Sequence, residues 1–128
     1  MTDPAFAGKR ERDSLLAALE LFRELDTPQS TNALALFLYV CENEGVNMSE
    51  LAYVSRLHVA TAARLARALA GEDETAPVAD ALLEFRATDE DKRLKFVHLS
   101  PRGRELRDQL DVIIARATPI RRPAPIRP

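Results

Sequence analysis

Val46-Asn47-Met48-Ser49-Glu50-Leu51-Ala52-Tyr53-Val54-Ser55-Arg56-Leu57-His58-Val59-Ala60-Thr61-Ala62-Ala63-Arg64-Leu65-Ala66-Arg67-Ala68-Leu69 is the stretch on which the fold turns. Its apolar residues recur at helical spacing in two short blocks, interrupted at Arg56-Leu57-His58. The spacing predicts a short helix from about Ser49 to Ser55, a tight turn, and a second helix from about Val59 to Ala70. Leu51, Ala52 and Leu57, then Ala62, Leu65 and Leu69, supply the contacts that hold two short helices crosswise. Small alanines at the crossing let the backbones approach. On the second helix His58, Ala60, Thr61 and Arg64 fall on one exposed arc, with Arg67 a turn further on. A helix so held can present its N-terminal half to base edges in the major groove. An arginine can fork onto guanine there, and Thr or Ala methyl groups can meet the thymine methyl. The plainer alternative is that Arg64 and Arg67 are solvated surface residues.

Upstream, a loose leader over 1–10 gives way to a helix from about Glu11 to Leu25. Leu15, Leu19 and Phe22 share one face, and Glu20, Arg23 and Glu24 lie opposite. Thr27-Pro28 reads as the start of a second helix, running to about Glu44 and stopped by Gly45. Leu34, Leu36, Phe37, Leu38, Tyr39, Val40 and Cys41 cover almost every side of it, which marks a buried central element. Downstream, Gly71 to Val78 is an acidic loop. Ala81–Arg86 and Leu94–Leu99 then read as two strands around Asp89-Glu90-Asp91-Lys92-Arg93, a hairpin with a charged tip. Both strands contain adjacent apolar residues, so the pattern leaves open which face is buried. Ser100-Pro101 caps a last helix to about Ala117. The Pro- and Arg-rich segment 118–128 is predicted to be extended. The whole is a mainly α chain with one small antiparallel β-hairpin, its structured part spanning 11–117.

The length of 128 residues suits one domain with a packed core. The net charge of −2 speaks at first against nucleic acid, but the charge is polarised. No acid occurs between Leu51 and Gly71, and from Lys92 onward ten Lys or Arg residues face three acids. A DNA-binding face needs such segregation and not a basic total. Cys41 is the single cysteine, so no disulfide can form within the chain. It reads as a small buried apolar residue, with a redox-sensing thiol as the alternative. With no secretion signal at the start and no apolar run long enough for a bilayer, the expected setting is the cytoplasm, without membrane contact.

In that order, the helices, the helix-turn-helix, the hairpin and the closing helix resemble the winged helix-turn-helix domain of the MarR-type transcription regulators. Two segments over about Pro28 to Leu110 carry the resemblance. Met48-Ser49-Glu50-Leu51-Ala52 through Thr61-Ala62-Ala63-Arg64-Leu65 is similar to that family's helix-turn-helix. Asp89-Glu90-Asp91-Lys92-Arg93 through Val97-His98-Leu99-Ser100-Pro101-Arg102-Gly103-Arg104-Glu105-Leu106 is similar to its wing and following helix. The resemblance implies a homodimer on palindromic double-stranded DNA. Arg56, His58, Ala60, Thr61, Arg64 and Arg67 would read or flank the major groove. Lys92 and Arg93 would reach phosphates or a minor groove from the wing tip, and Asp91 would hold the wing arginine. A small-molecule effector or a protein partner is a further possibility in such a family. The first and last helices are the expected dimerisation elements, through Leu15, Leu19, Phe22, Leu106, Leu110, Ile113 and Ile114. The chain departs from the pattern where Arg56 occupies the turn's usual glycine and His58 the usual capping hydroxyl. The link Gly71–Asp80 is also longer than expected, and the chain ends where the family continues into another dimerisation helix.

No catalytic motif is present. The sequence holds four glycines and no phosphate loop, no nucleophile elbow and no His or Cys set at metal spacing, so neither an enzyme nor a bound cofactor is expected. The competing function class is a winged-helix interaction module that binds protein and has lost specific DNA readout.

Overall fold

The computed structural model describes residues 13–25, 30–72, 81–88, 90 and 94–120. Helix α1 spans Ser14–Arg23, with the Asp13 carboxylate accepting the Leu16 N–H as N-cap. Helix α2, Thr31–Glu42, starts from Ser30, whose hydroxyl oxygen accepts the Ala33 N–H. The helix expected from Thr27-Pro28 to Glu44 is therefore shorter at both ends, and Thr27 and Pro28 themselves lie outside the described residues. At its C-terminal end Asn43 Nδ2 donates to the Tyr39 carbonyl, which closes the helix before Gly45. Gly45 then turns the chain at φ +95°, and its N–H donates to Val97 O at 2.7 Å.

Strand β1 is only Val46–Asn47, and α3 follows at once over Met48–Ser55. Asn47 and Glu50 cap α3 reciprocally, each side chain accepting the other's backbone N–H at 2.9 Å. Helix α4 spans Val59–Leu69, β2 Leu83–Ala87, β3 Lys95–Leu99 and α5 Pro101–Arg116. The sheet is antiparallel with order β1-β3-β2. The hairpin thus has a third strand, β1, that the sequence did not reveal.

The register settles which strand faces are buried. Leu83 pairs with Leu99, and Phe85 and Val46 both pair with Val97, so these five share the inner face. Glu84, Arg86, Phe96 and His98 take the outer one. The core is centred on α2, where Leu36, Phe37 and Val40 are fully buried together with Leu51, Ala62, Ala66, Val97, Leu99 and Leu106. Phe22 meets Phe37 edge-to-face at 5.9 Å and joins α1 to it. The expectation that α2 is buried on every side needs one correction: Leu38 is 44% exposed.

Three linked bonds fasten α1 to the end of α5. Ser14 N–H donates to Thr118 O at 2.9 Å, Ser14 Oγ donates to Ile113 O at 3.1 Å, and Thr118 N–H donates back to Ser14 Oγ at 3.0 Å. A second tie is Glu44, whose Oε2 accepts from the Leu99 N–H at 2.9 Å and from Arg104 Nη2 at 3.0 Å, with His98 Nδ1 3.5 Å away. Burial, the largest single influence, raises this carboxyl's pKa. The Leu99 N–H, Arg104 and His98 together outweigh it and hold the pKa below the ordinary 4.5. A carboxyl whose pKa falls on folding adds stability above its unfolded value, and that stability is lost as pH drops through the folded one. Glu44→Gln is expected to lose roughly 1 kcal/mol at neutral pH and to flatten the fall in stability between about pH 5 and pH 3. Urea titrations of both proteins across that range measure it.

Candidate nucleic-acid interface

The turn between α3 and α4 decides how the second helix is presented. Arg56 sits there at φ +60°, ψ +34°, in the left-handed region that favours glycine. Arg56 N–H donates to Tyr53 O at 3.3 Å and Leu57 N–H to Ala52 O at 3.1 Å, the paired bonds of a Schellman ending. Ser55 Oγ donates to Leu51 O at 2.7 Å and tightens the same turn. Leu57 is thereby folded inward, and His58 becomes the N-cap of α4 without a side-chain cap bond. An arginine held left-handed costs stability that glycine would not. Arg56→Gly is expected to raise stability by about 1 kcal/mol while removing one cation from this surface. Denaturant unfolding and DNA binding measured on the same variant would show the two effects with opposite signs.

Ala62, Leu65, Ala66 and Leu69 bury the inner side of α4. His58, Ala60, Arg64 and Arg67 are exposed and Thr61 is partly so. The six residues predicted from the turn and helix therefore occupy one continuous outer surface beginning at Arg56. Tyr53, 84% exposed on α3, extends it; the sequence alone does not single it out, because an aromatic at helical spacing is usually core. Asp91, Lys92 and Arg93, predicted for the wing tip, lie outside the described residues, as do 73–80 of the acidic link.

A cleft of about 300 Å³ separates α4 from the wing. Met48 and Ala63 form one wall and Phe85 and Leu94 the other, and Arg67, Glu72 and Lys95 stand among its lining. Lys95 Nζ lies 6.0 Å from the centre of the Phe85 ring. Lys95 is a site residue that the sequence reading misses, although strand alternation with Val97 and Leu99 puts it on the inner face.

The apolar surface expected for dimerisation divides. Phe22, Leu106 and Leu110 are 7%, 0% and 3% exposed, consumed by the protomer's own core, and so cannot face a partner. Leu15 and Ile114 are each 58% exposed and Leu19 is 41% exposed, with Leu16 and Val112 beside them; Ile113 is half-buried. Cys41 is partly buried. Burial pushes its thiol up to about 11, against a smaller lowering by Arg107, so it stays protonated at neutral pH and lacks the thiolate a redox sensor needs. Among the described residues no group of three or more His, Cys, Asp or Glu side chains is placed to hold a metal. No helix among them is long and apolar enough to cross a membrane.

No protein-family model matches the chain, and no curated protein matches it. Solved structures do. A MarR transcriptional regulator from Methanosarcina mazei Go1 superposes with a TM-score of 0.56 at 15% identity, over 81% of this chain and 66% of that one. MepR of S. aureus, solved bound to DNA, gives 0.56 at 19% identity, over 80% and 74%. BpsR of Bordetella bronchiseptica, whose DNA binding is regulated by 6-hydroxynicotinic acid, gives 0.55 at 14% identity, over 81% and 74%. The chain thus spans about two thirds to three quarters of these neighbours. Its fold is the winged helix of MarR-type regulators, five helices and a three-stranded antiparallel sheet.

Proposed function

We propose that this chain is a DNA-binding transcription regulator, acting by binding and not by catalysis, as a homodimer with α4 in the major groove and the wing beside it. The observation that carries the reading is the outer surface of α4 and its turn, where Arg56, His58, Arg64 and Arg67 are exposed together and no acid occurs from Leu51 to Gly71. Its fold neighbours include a regulator solved on DNA. In this reading Arg64 reads a base edge, Arg56 and Arg67 meet phosphates, and Lys92 and Arg93 act from the wing through phosphate or groove potential. Leu15, Leu19 and Ile114 leave an exposed apolar stripe suited to a twofold partner. Two recognition helices would then lie about 34 Å apart on a palindromic site.

The deciding experiment selects bound fragments from random-sequence DNA with the purified protein. Enrichment of one palindromic motif is expected, and light scattering should give a dimer mass at micromolar concentration. On the selected duplex Arg93→Ala should lower the salt slope by about 0.9 for each phosphate that the protein no longer neutralises. Failure to enrich any motif would overturn specific readout and favour the protein-interaction module.

A further inference from the structure

The inner face of the wing sheet changes character along its length. Leu83 and Leu99 are fully buried at the α5 end, Phe85 is half-buried in the middle, and Ala87 and Lys95 are exposed at the far end. The sheet outruns the cover that the helices give it, and Phe85 and Leu94 are left as an apolar wall facing Met48 and Ala63. Two cations, Arg67 and Lys95, and one acid, Glu72, share this space. Arg67 makes no ion pair with another described residue, and the partner of Lys95 is the face of Phe85.

We infer that this cleft binds a small organic anion with a flat apolar body, and that the bound anion competes directly with DNA by engaging Arg67. The competition rests on the reading of Arg67 as a DNA contact; the binding site does not. A bare inorganic anion would use the two cations but leave the apolar walls wet. A neutral apolar molecule would cover the walls but leave both cations without a counter-charge. Only a molecule with both parts matches the lining, the flat body against Phe85 and the anionic group between Arg67 and Lys95. Glu72 disfavours a second negative charge and can accept a hydrogen bond from a ligand hydroxyl. The volume suits a ligand of roughly ten to fifteen heavy atoms, at the small end for such clefts. Because Arg67 would serve both ligand and DNA, each must weaken the other to the same extent, within a single protomer.

The test titrates the free, isotope-labelled protein with 2-naphthoate, with its neutral amide and with inorganic phosphate, following backbone amide signals. Naphthoate should shift Ala63, Arg67, Phe85 and Lys95 saturably. The amide should bind at least about fivefold more weakly, and Lys95→Met should weaken naphthoate binding by a similar factor without altering the rest of the spectrum. Equal binding of the amide, phosphate binding as tightly as naphthoate, or shifts confined to another surface would each overturn the site. Naphthoate should also raise the apparent Kd for the selected duplex. Binding to the free protein with unchanged DNA affinity would overturn the competition and leave the site standing. Absence of any DNA binding would remove the competition together with the proposed function, while the titration of free protein still decides the site.

Discussion

Arg64→Ala should weaken binding to the selected duplex by about 1–3 kcal/mol per half-site, and by about twice that for a dimer on a palindrome. Binding to scrambled duplexes should change much less, because only the correct base returns a bidentate contact. Arg64 is exposed on α4 and makes no ion pair with another described residue, so its removal leaves the packed side, Ala62, Leu65, Ala66 and Leu69, untouched. Thermal stability should therefore stay within about 0.5 kcal/mol of the parent. Equilibrium binding to specific and scrambled duplexes over a range of salt separates lost readout from lost charge. If Arg64→Ala bound every duplex as the parent does, α4 would not be the reading element.

Gly103→Ala should destabilise the fold by about 3 kcal/mol, the upper end for an overpacked site. A methyl group on Gly103 would overlap the Leu82 carbonyl oxygen, and the Leu82 atoms it meets are backbone, so no side chain can swing away to make room. That carbonyl also accepts the Ser100 N–H at 2.9 Å, while Ser100 Oγ accepts the Gly103 N–H at 2.9 Å and donates to Ala81 O. The Leu82 N–H in turn donates to Leu69 O at 2.7 Å. Pushing α5 off Leu82 therefore strains its own N-cap, the base of the wing and the end of α4 together. Denaturant unfolding should show a lower midpoint at unchanged slope. DNA binding should fall with the folded fraction alone.

Much of this architecture was legible in the sequence because its elements carry strong periods. The break at Arg56-Leu57-His58 placed α3 and α4 to within a residue, and Ser100-Pro101 placed the start of α5. Strand β1 was not legible, since two residues, Val46 and Asn47, show no alternation. The signal present there was Asn47-x-x-Glu50, a capping pattern that fixes the start of α3 one residue earlier than Ser49. The stripe on α1 and α5 was recognised, but a stripe does not say how its residues divide between a protomer's own core and a partner. Packing of α1 on α5 and of Phe22 on Phe37 makes that division, taking Phe22, Leu106 and Leu110 inward and leaving Leu15, Leu19 and Ile114 outside. The arc of α4 could be read because only one side of that helix is apolar. The cleft could not, because its lining comes from α3, α4 and the wing, whose separation is a matter of tertiary geometry.

The fastening of Ser14 to Ile113 and Thr118 bears on synthesis. Ser14 Oγ must find a carbonyl 99 residues further along the chain. At the usual pace of about 5–20 residues per second, a ribosome needs on the order of 5–20 seconds to deliver it. Throughout that interval the apolar side of α1 has no α5 to lie against, and neighbouring nascent chains on one message hold the same leucines bare. Crowding of ribosomes on the transcript, and not the stability of the finished protein, then sets how much of it is recovered in soluble form.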